Sequence, residues 1–262
     1  MKRSLSVSVS MVLWAATGGL LVGAGTARAA ETAAEILKLT DEAQNNYQDL
    51  TLESTMLIRE PGQQNAREIN FVTISKGKDK RLVRFTGPGD FKGMGFLVEN
   101  RDTMYVLLPA FGNRVRRLGT HVKAQGFQGS DASYDDMATT QYTGIYEPKL
   151  VATEADAWVL ELTLLPGKQA ESPRLKVWVD KNTHHQVTRI EYYDDKGQKQ
   201  RTQIRTNFKK DEGNGEHYTP EWIKFIDHRR NDHTTELHTT KAQVNTGVAD
   251  DVFTQRSLQR GS

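Results

Sequence analysis

Leu50-Thr51-Leu52-Glu53-Ser54-Thr55-Met56-Leu57-Ile58 is the stretch on which the fold is decided. Leu50, Leu52, Met56 and Ile58 alternate with Thr51, Glu53, Thr55 and Leu57, the period of two that sends one set of side chains to a buried face and the other toward water. Pro61-Gly62 ends the run. Downstream the alternation returns over 69–75, 81–85, 95–99 and 103–108, punctuated by Lys76-Gly77-Lys78-Asp79, Gly87-Pro88-Gly89 and Asn100-Arg101-Asp102. Short alternating runs with such turns between them read as an antiparallel meander.

A second series follows over 142–151, 158–165, 174–180, 186–193, 199–208, 219–227 and 233–244. Asp180-Lys181-Asn182-Thr183 and Asp194-Asp195-Lys196-Gly197 carry the side-chain and glycine chemistry of hairpin turns. About a dozen strands succeed one another with no crossover helix long enough for parallel pairing. Upstream, Thr32 and Glu35 form a capping box, and Ile36, Leu39, Ala43 and Tyr47 fall at helical spacing. Residues 119–141 break the strand pattern with glycines and a second box, Ser133 with Asp136, opening a short helix over 134–139. The expected fold is mainly β. One strongly curved antiparallel sheet carries the N-terminal helix and a short helical cap on its concave side.

The composition agrees with a sheet buried mostly on one face. Hydrophobic residues are 37% of the 262, charged residues 26%, and the mean hydropathy is −0.63, yet nine Phe, eight Tyr and four Trp are too many for a disordered chain. Thirty-five basic against 33 acidic groups give no reason to expect a nucleic-acid partner. The absence of cysteine excludes disulfides, a thiol nucleophile and zinc–thiolate sites.

Residues 1–29 read as a signal peptide: Lys2 and Arg3, an interrupted apolar stretch from Val7 to Val22, then Ala27-Arg28-Ala29 with cleavage expected after Ala29. Thr17-Gly18-Gly19, Gly23 and Gly25 argue against a membrane anchor. Cleavage leaves a net charge of about −1 and a single domain over 30–262, expected to be exported and soluble in the periplasm.

Phe91-Lys92-Gly93-Met94-Gly95-Phe96-Leu97, Tyr105 to Ala110 with Arg114-Val115-Arg116-Arg117-Leu118, and Gly129-Ser130-Asp131-Ala132-Ser133-Tyr134-Asp135-Asp136-Met137 together resemble the outer-membrane lipoprotein-sorting family. Trp178-Val179-Asp180-Lys181 and Val187-Thr188-Arg189-Ile190-Glu191-Tyr192-Tyr193-Asp194 resemble that family's hairpin. The resemblance to these LolA/LolB-like periplasmic carriers implies an unclosed half β-barrel with a helical lid over an acyl-binding cavity. It also implies lipoprotein or lipid acyl chains as partners, with an inner-membrane exporter and an outer-membrane acceptor. No stretch matches the carriers' lid-latching arginine, so none is assigned, and a lipoprotein and a free lipid both stand as cargo.

Alternation and aromatic placement nominate a ligand cavity of Leu52, Met56, Ile58, Val83, Phe85, Phe96, Met104, Val106, Leu108, Trp158, Leu160, Leu162, Trp178 and Tyr192. Arg84, Glu161 and Thr163 are expected to face water. Phe127, Tyr134 and Met137 are expected to let a mobile cap touch the rim of the cavity. Arg114, Arg116 and Arg117 could form a polar rim or pair with Asp131, Asp135 and Asp136, the pairing being favoured.

No metal site and no cofactor follow from the sequence: His228, His233 and His238 recur at an odd spacing that alternates strand faces, so solvated faces are expected for them. No serine sits in a nucleophile elbow, so no catalytic residue is assigned and the protein reads as a non-enzyme. The readings are an acyl-chain carrier or, alternatively, an accessory or regulatory subunit of an envelope export complex.

Overall fold

The computed structural model describes residues 31–260 apart from 61, 64, 101, 109–111, 113, 120–121, 123–124, 140 and 183. The expected signal peptide and its cleavage site lie outside the described residues. Two meanders form the protein. The first runs β1 (Asp49–Arg59), β2 (Arg67–Lys76), β3 (Lys80–Gly87), β4 (Gly95–Asn100), β5 (Thr103–Leu108) and β6 (Arg114–Arg117). The second runs β7 (Tyr146–Thr153), β8 (Ala157–Leu164), β9 (Arg174–Asp180), β10 (Val187–Tyr193), β11 (Lys199–Lys210), a two-residue β12 (Glu212–Gly213), β13 (Tyr218–Asp227) and β14 (His233–Val244).

The fourteen strands among the described residues join one sheet in the order β6-β5-β4-β3-β2-β1-β14-β13-β11-β10-β9-β8-β7, with β12 beside β14. The meanders grow away from the antiparallel β1–β14 seam, so the sheet ends on β6 and β7, which are neighbours in sequence. The chain must therefore travel from one edge of the sheet to the other between residues 118 and 145. That journey is the cap, and because β6 and β7 do not pair, the barrel stays open.

Both expected capping boxes are formed. Thr32 and Glu35 close the N-terminus of helix α1 (Ala33–Gln44), and Ser133 and Asp136 close that of α2 (Tyr134–Ala138). The buried stripe of α1 is Ile36, Leu37, Thr40 and Asp41, one position round from the expected Ile36–Leu39–Ala43 line. The polar members earn their burial: Thr40 donates to the Ile36 carbonyl, and the Asp41 carboxylate accepts from the backbone N–H groups of Tyr142 and Thr143 at 2.9 and 2.8 Å. Residues 142–145, expected as strand, are thus a loop docked on α1, with Tyr142 and Ile145 buried.

The inner face carries two packed clusters. Beneath the cap, Met56, Ile58, Phe71, Val83, Phe85, Phe96 and Met104 meet Phe127, Ala132 and Tyr134. Beneath α1, Leu160, Leu162, Leu175, Val177, Val187, Ile190 and Tyr192 meet Ile36 and Leu37.

The outer face differs from expectation over β3–β5. A C-terminal segment ending in α3 (Gln255–Arg260) lays Phe253 and Leu258 on Leu82, Leu97 and Leu107. Arg84, expected to face water, is half-buried there and donates to the Ser257 carbonyl and hydroxyl at 2.6 and 3.0 Å. Gly95 allows the approach: a Cβ there would stand 2.6 Å from the Val83 carbonyl oxygen and 3.0 Å from Leu258.

Candidate functional site

Between the two packed clusters the concave face is left unfilled, giving a cavity of about 200 Å³. Its apolar wall comes from Leu50 and Leu52 on β1, Phe71 on β2, Val83 on β3, Ile223 and Phe225 on β13, and Leu237 on β14. Met137 and Ala132 of the cap close it from above. The remaining wall is polar: Gln44 at the end of α1, Gln203 and Arg205 on β11, Arg81 on β3, Thr219 on β13 and His217 just before it.

The nominated cavity residues divide among several places. Leu52, Val83 and Met137 line the cavity. Met56, Ile58, Phe85, Phe96 and Met104 point the same way but are filled over by the cap, and Val106 is buried beside them. Leu160, Leu162 and Tyr192, with a half-buried Trp158, are filled over by α1 and the loop after the cap. Leu108 is half-buried toward the edge of the sheet.

Trp178 requires correction. It shares its strand with inward Val177 and Val179 but has the opposite parity, so it lies on the outer face between Lys176 and Arg189, 5.0 and 4.6 Å from its ring centre.

The cap is also more deeply seated than a light cover. Phe127 stacks on Phe85 with ring centres 4.4 Å apart, and Tyr134 meets Phe96 edge-on at 5.9 Å. Gly126 makes the preceding turn possible, since a Cβ there would fall 2.0 Å from the Ser130 carbonyl oxygen.

The expected pairing of the cap carboxylates with Arg114, Arg116 and Arg117 is not what forms. Those arginines are exposed on edge strand β6, where Arg114 and Arg116 lie opposite Leu108 and Val106 on the inner parity. The carboxylates are held by the second meander instead. Arg201 on β11, 1% exposed, donates to the Asp131 carbonyl, to both Asp136 oxygens and to Glu171 Oε2 at 2.9 Å. Its guanidinium lies 4.2 Å over the Tyr192 ring, whose hydroxyl donates to Asp136 at 3.0 Å.

A second buried anchor joins Asp131 to His233 at 2.7 Å and to the Thr235 hydroxyl at 2.8 Å, with Arg230 3.2 Å away. His233 is therefore buried against the cap, not solvated, while His238 stacks on Trp222 with ring centres 4.1 Å apart. Asp135 contributes as an acceptor for the Glu171 backbone N–H, 3.4 Å away.

Electrostatics makes this fastening asymmetric. Burial would raise the Asp136 carboxyl, but the charge and hydrogen bonds of Arg201 hold it below the usual carboxylate range. Glu171 receives less compensation, and burial, reinforced by Asp136, pushes it up to about 7. Burial likewise works against the Arg201 charge, yet Asp136 and Glu171 keep it firmly protonated.

Arg201, Gln203 and Arg205 escaped the sequence reading, because the apolar residues of β11, Ile204 and Phe208, have the opposite parity and alternation alone would turn these three outward. Three polar side chains at every second place on a face otherwise apolar are a signal that runs against core patterning, and Glu171 lies in a turn with no pattern to read.

The open antiparallel sheet is a fold that the chain shares with solved structures, a LolA superfamily protein among them. A family model described as "uncharacterized protein" matches residues 77–260, and the chain belongs to that family. Among solved structures it is similar to an outer-membrane lipoprotein-sorting protein domain from Vibrio parahaemolyticus, with 24% identity, a TM-score of 0.78, and coverage of 87% of this chain and 98% of that one. A DUF1329 family protein from Desulfovibrio piger is 26% identical with a TM-score of 0.77, covering 87% of this chain and 100% of that one. A LolA superfamily protein from Nitrosomonas europaea is 22% identical with a TM-score of 0.71, again covering 87% and 100%. No curated protein sequence matches the chain. No helix among the described residues is long and apolar enough to cross a membrane.

Proposed function

We propose that the protein is a periplasmic carrier that takes an acyl chain of a lipid or lipoprotein into the central cavity and moves it between envelope membranes without chemical change. The observation that carries this reading is the unfilled centre of the concave face. Two packed clusters complete the fold on either side of it, while Leu52, Phe71, Val83, Ile223 and Leu237 remain around open space under Met137. Each methylene transferred from water to such a wall is worth about 0.8 kcal/mol, so a chain supplies affinity without a reactive group.

The cavity of about 200 Å³ is below the ~300–1,000 Å³ of sites that enclose drug-sized ligands. One chain entering would have to displace the cap, which is the mobile part in this reading. Loading and release then become opening and closing of the segment held by Arg201, His233 and Thr235. Donor and acceptor would be an inner-membrane exporter and an outer-membrane acceptor.

Mass spectrometry of lipids extracted from the protein purified from its native envelope tests the proposal. A stoichiometric acyl-chain lipid supports it. Protein that emerges empty and takes up no lipid from added vesicles turns the reading toward an accessory or regulatory subunit of an export complex.

A further inference from the structure

Two arginines of the cavity wall lack the partner that buried arginines usually have. Arg205 projects inward from β11 and donates to Gln44 Oε1 at 2.9 Å and Gln203 Oε1 at 3.2 Å; it also hydrogen-bonds the buried Tyr142 side chain. Its Nε is buried with no hydrogen-bond partner. Arg81, inward on β3, donates to the Ser75 hydroxyl at 3.2 Å and to the Met137 carbonyl. Every one of these partners is neutral.

The contrast with Arg201 is chemical. Two positions along the same strand face from Gln203, that guanidinium is matched by Asp136 and Glu171. Asp136 is the only carboxylate among the described residues lining the cavity, and Arg201 already occupies both its oxygens. His217, which also lines the cavity, has its own carboxylate, Asp211, at 2.6 Å. The cavity thus holds two guanidiniums without a counter-charge, Arg205 on β11 and Arg81 on the strand that carries Val83, beside a wall of Leu52, Phe71, Val83 and Leu237. A half-buried cation with unfilled donor capacity is a site for an oxyanion.

We infer that the ligand of this cavity is a single-chain amphiphile with an anionic oxyanion head, carboxylate or phosphate, held by Arg205 and Arg81, with its chain on the apolar wall. The inference rests on the cavity being the cargo site and adds the charge of what it accepts. The small volume selects one chain, and the fork of Arg205, with the Gln203 and Gln44 amides beside it, selects a head that accepts several hydrogen bonds. A neutral or cationic head of equal chain length would leave both guanidiniums uncompensated.

The test measures binding of four twelve-carbon probes to the full chain by calorimetry: dodecanoate, dodecyl phosphate, dodecanol and dodecyltrimethylammonium. The two anions are expected to bind about tenfold or more tightly than dodecanol, the scale of one charge-assisted contact, and the cation most weakly. Raising the salt should narrow the margin of the anions over dodecanol. Arg205→Gln should bring the dodecanoate-to-dodecanol ratio toward one, Arg205→Lys should restore part of it, and Arg81→Gln should lower it less. Preference between the two anions identifies the source, a fatty acid for the carboxylate and a single-chain phosphate-headed lipid for the phosphate. Equal binding of dodecanoate and dodecanol, or a ratio indifferent to Arg205→Gln in a variant that melts normally, overturns the inference while leaving the cavity reading intact. Failure of all four probes to bind overturns the cavity reading with it.

Discussion

The two halves of the concave face are covered by different physics. Under α1, the wall is aliphatic, built from Leu160, Leu162, Leu175, Val177, Val179, Val187 and Ile190, and sealed by Ile36 and Leu37. Under the cap, the wall is aromatic and methionine-rich, and the cover is fastened from outside its own half by Arg201 and His233. The α1 cover rests mainly on apolar packing, and its buried Asp41 is held by the backbone N–H groups of Tyr142 and Thr143 rather than by a cation. The cap is held at the point where it crosses the face by groups whose pairing costs desolvation, and in the proposed reading it is the half released without dissolving the sheet. On that reading the cavity sits at the boundary between a fixed wall and a releasable one.

The largest effect should come from breaking the fixed half. Leu160 is fully buried, so Leu160→Asp places a carboxylate among aliphatic side chains and should cost about 4 kcal/mol or more, or prevent folding. Thr163→Asp, on the exposed side of the same strand, should stay within about 0.5 kcal/mol. Chemical denaturation of both variants checks the parity of β8; equal losses would mean a shifted register.

Next in size is Arg201→Met, which leaves Asp136 and Glu171 buried without their cation. A loss of about 3–5 kcal/mol is expected, the cost of breaking a buried pair from one side. The damage should be local. Amide exchange across 127–138 should accelerate while that of α1 hardly moves, and equal acceleration in both would erase the distinction between the two halves.

A smaller effect separates the two carboxylates. Glu171, raised from 4.5 to about 7, contributes stability that is complete below pH 4.5 and is lost as the pH rises through 7. Asp136, held low, contributes in the opposite sense and is lost only in acid. The melting temperature of the parent relative to Glu171→Gln should therefore fall between pH 4.5 and 7.5, on the order of a few degrees for a domain of this size. A difference independent of pH would remove Glu171 from the fastening.

Much of this fold was readable because strand alternation is a local property. Leu52, Met56 and Ile58, and equally Leu160 and Leu162, face inward as their parity requires, and both capping boxes form at the residues whose side chains demanded them. The site was less readable because its decisive contacts span the molecule. Arg201 meets Asp136 across 65 residues and His233 meets Asp131 across 102, distances at which no periodicity operates. Trp178 and the C-terminal cover fail for a related reason: hydrophobicity says that a side chain seeks cover, and only topology says on which face the cover lies. The unfilled centre likewise depends on how far the cap and α1 each extend, which is set by their docking on different halves of the sheet.

The central claim is that the space between the halves is a cargo site whose cover moves. Hydrogen exchange measured with and without dodecanoate tests it most directly. Bound ligand should slow exchange over residues 125–139 by a clearly larger factor than over β10, which belongs to the fixed half. Exchange over 125–139 that ligand leaves unchanged, or that slows no more than in β10, would make the cap a permanent part of the core and contradict the account.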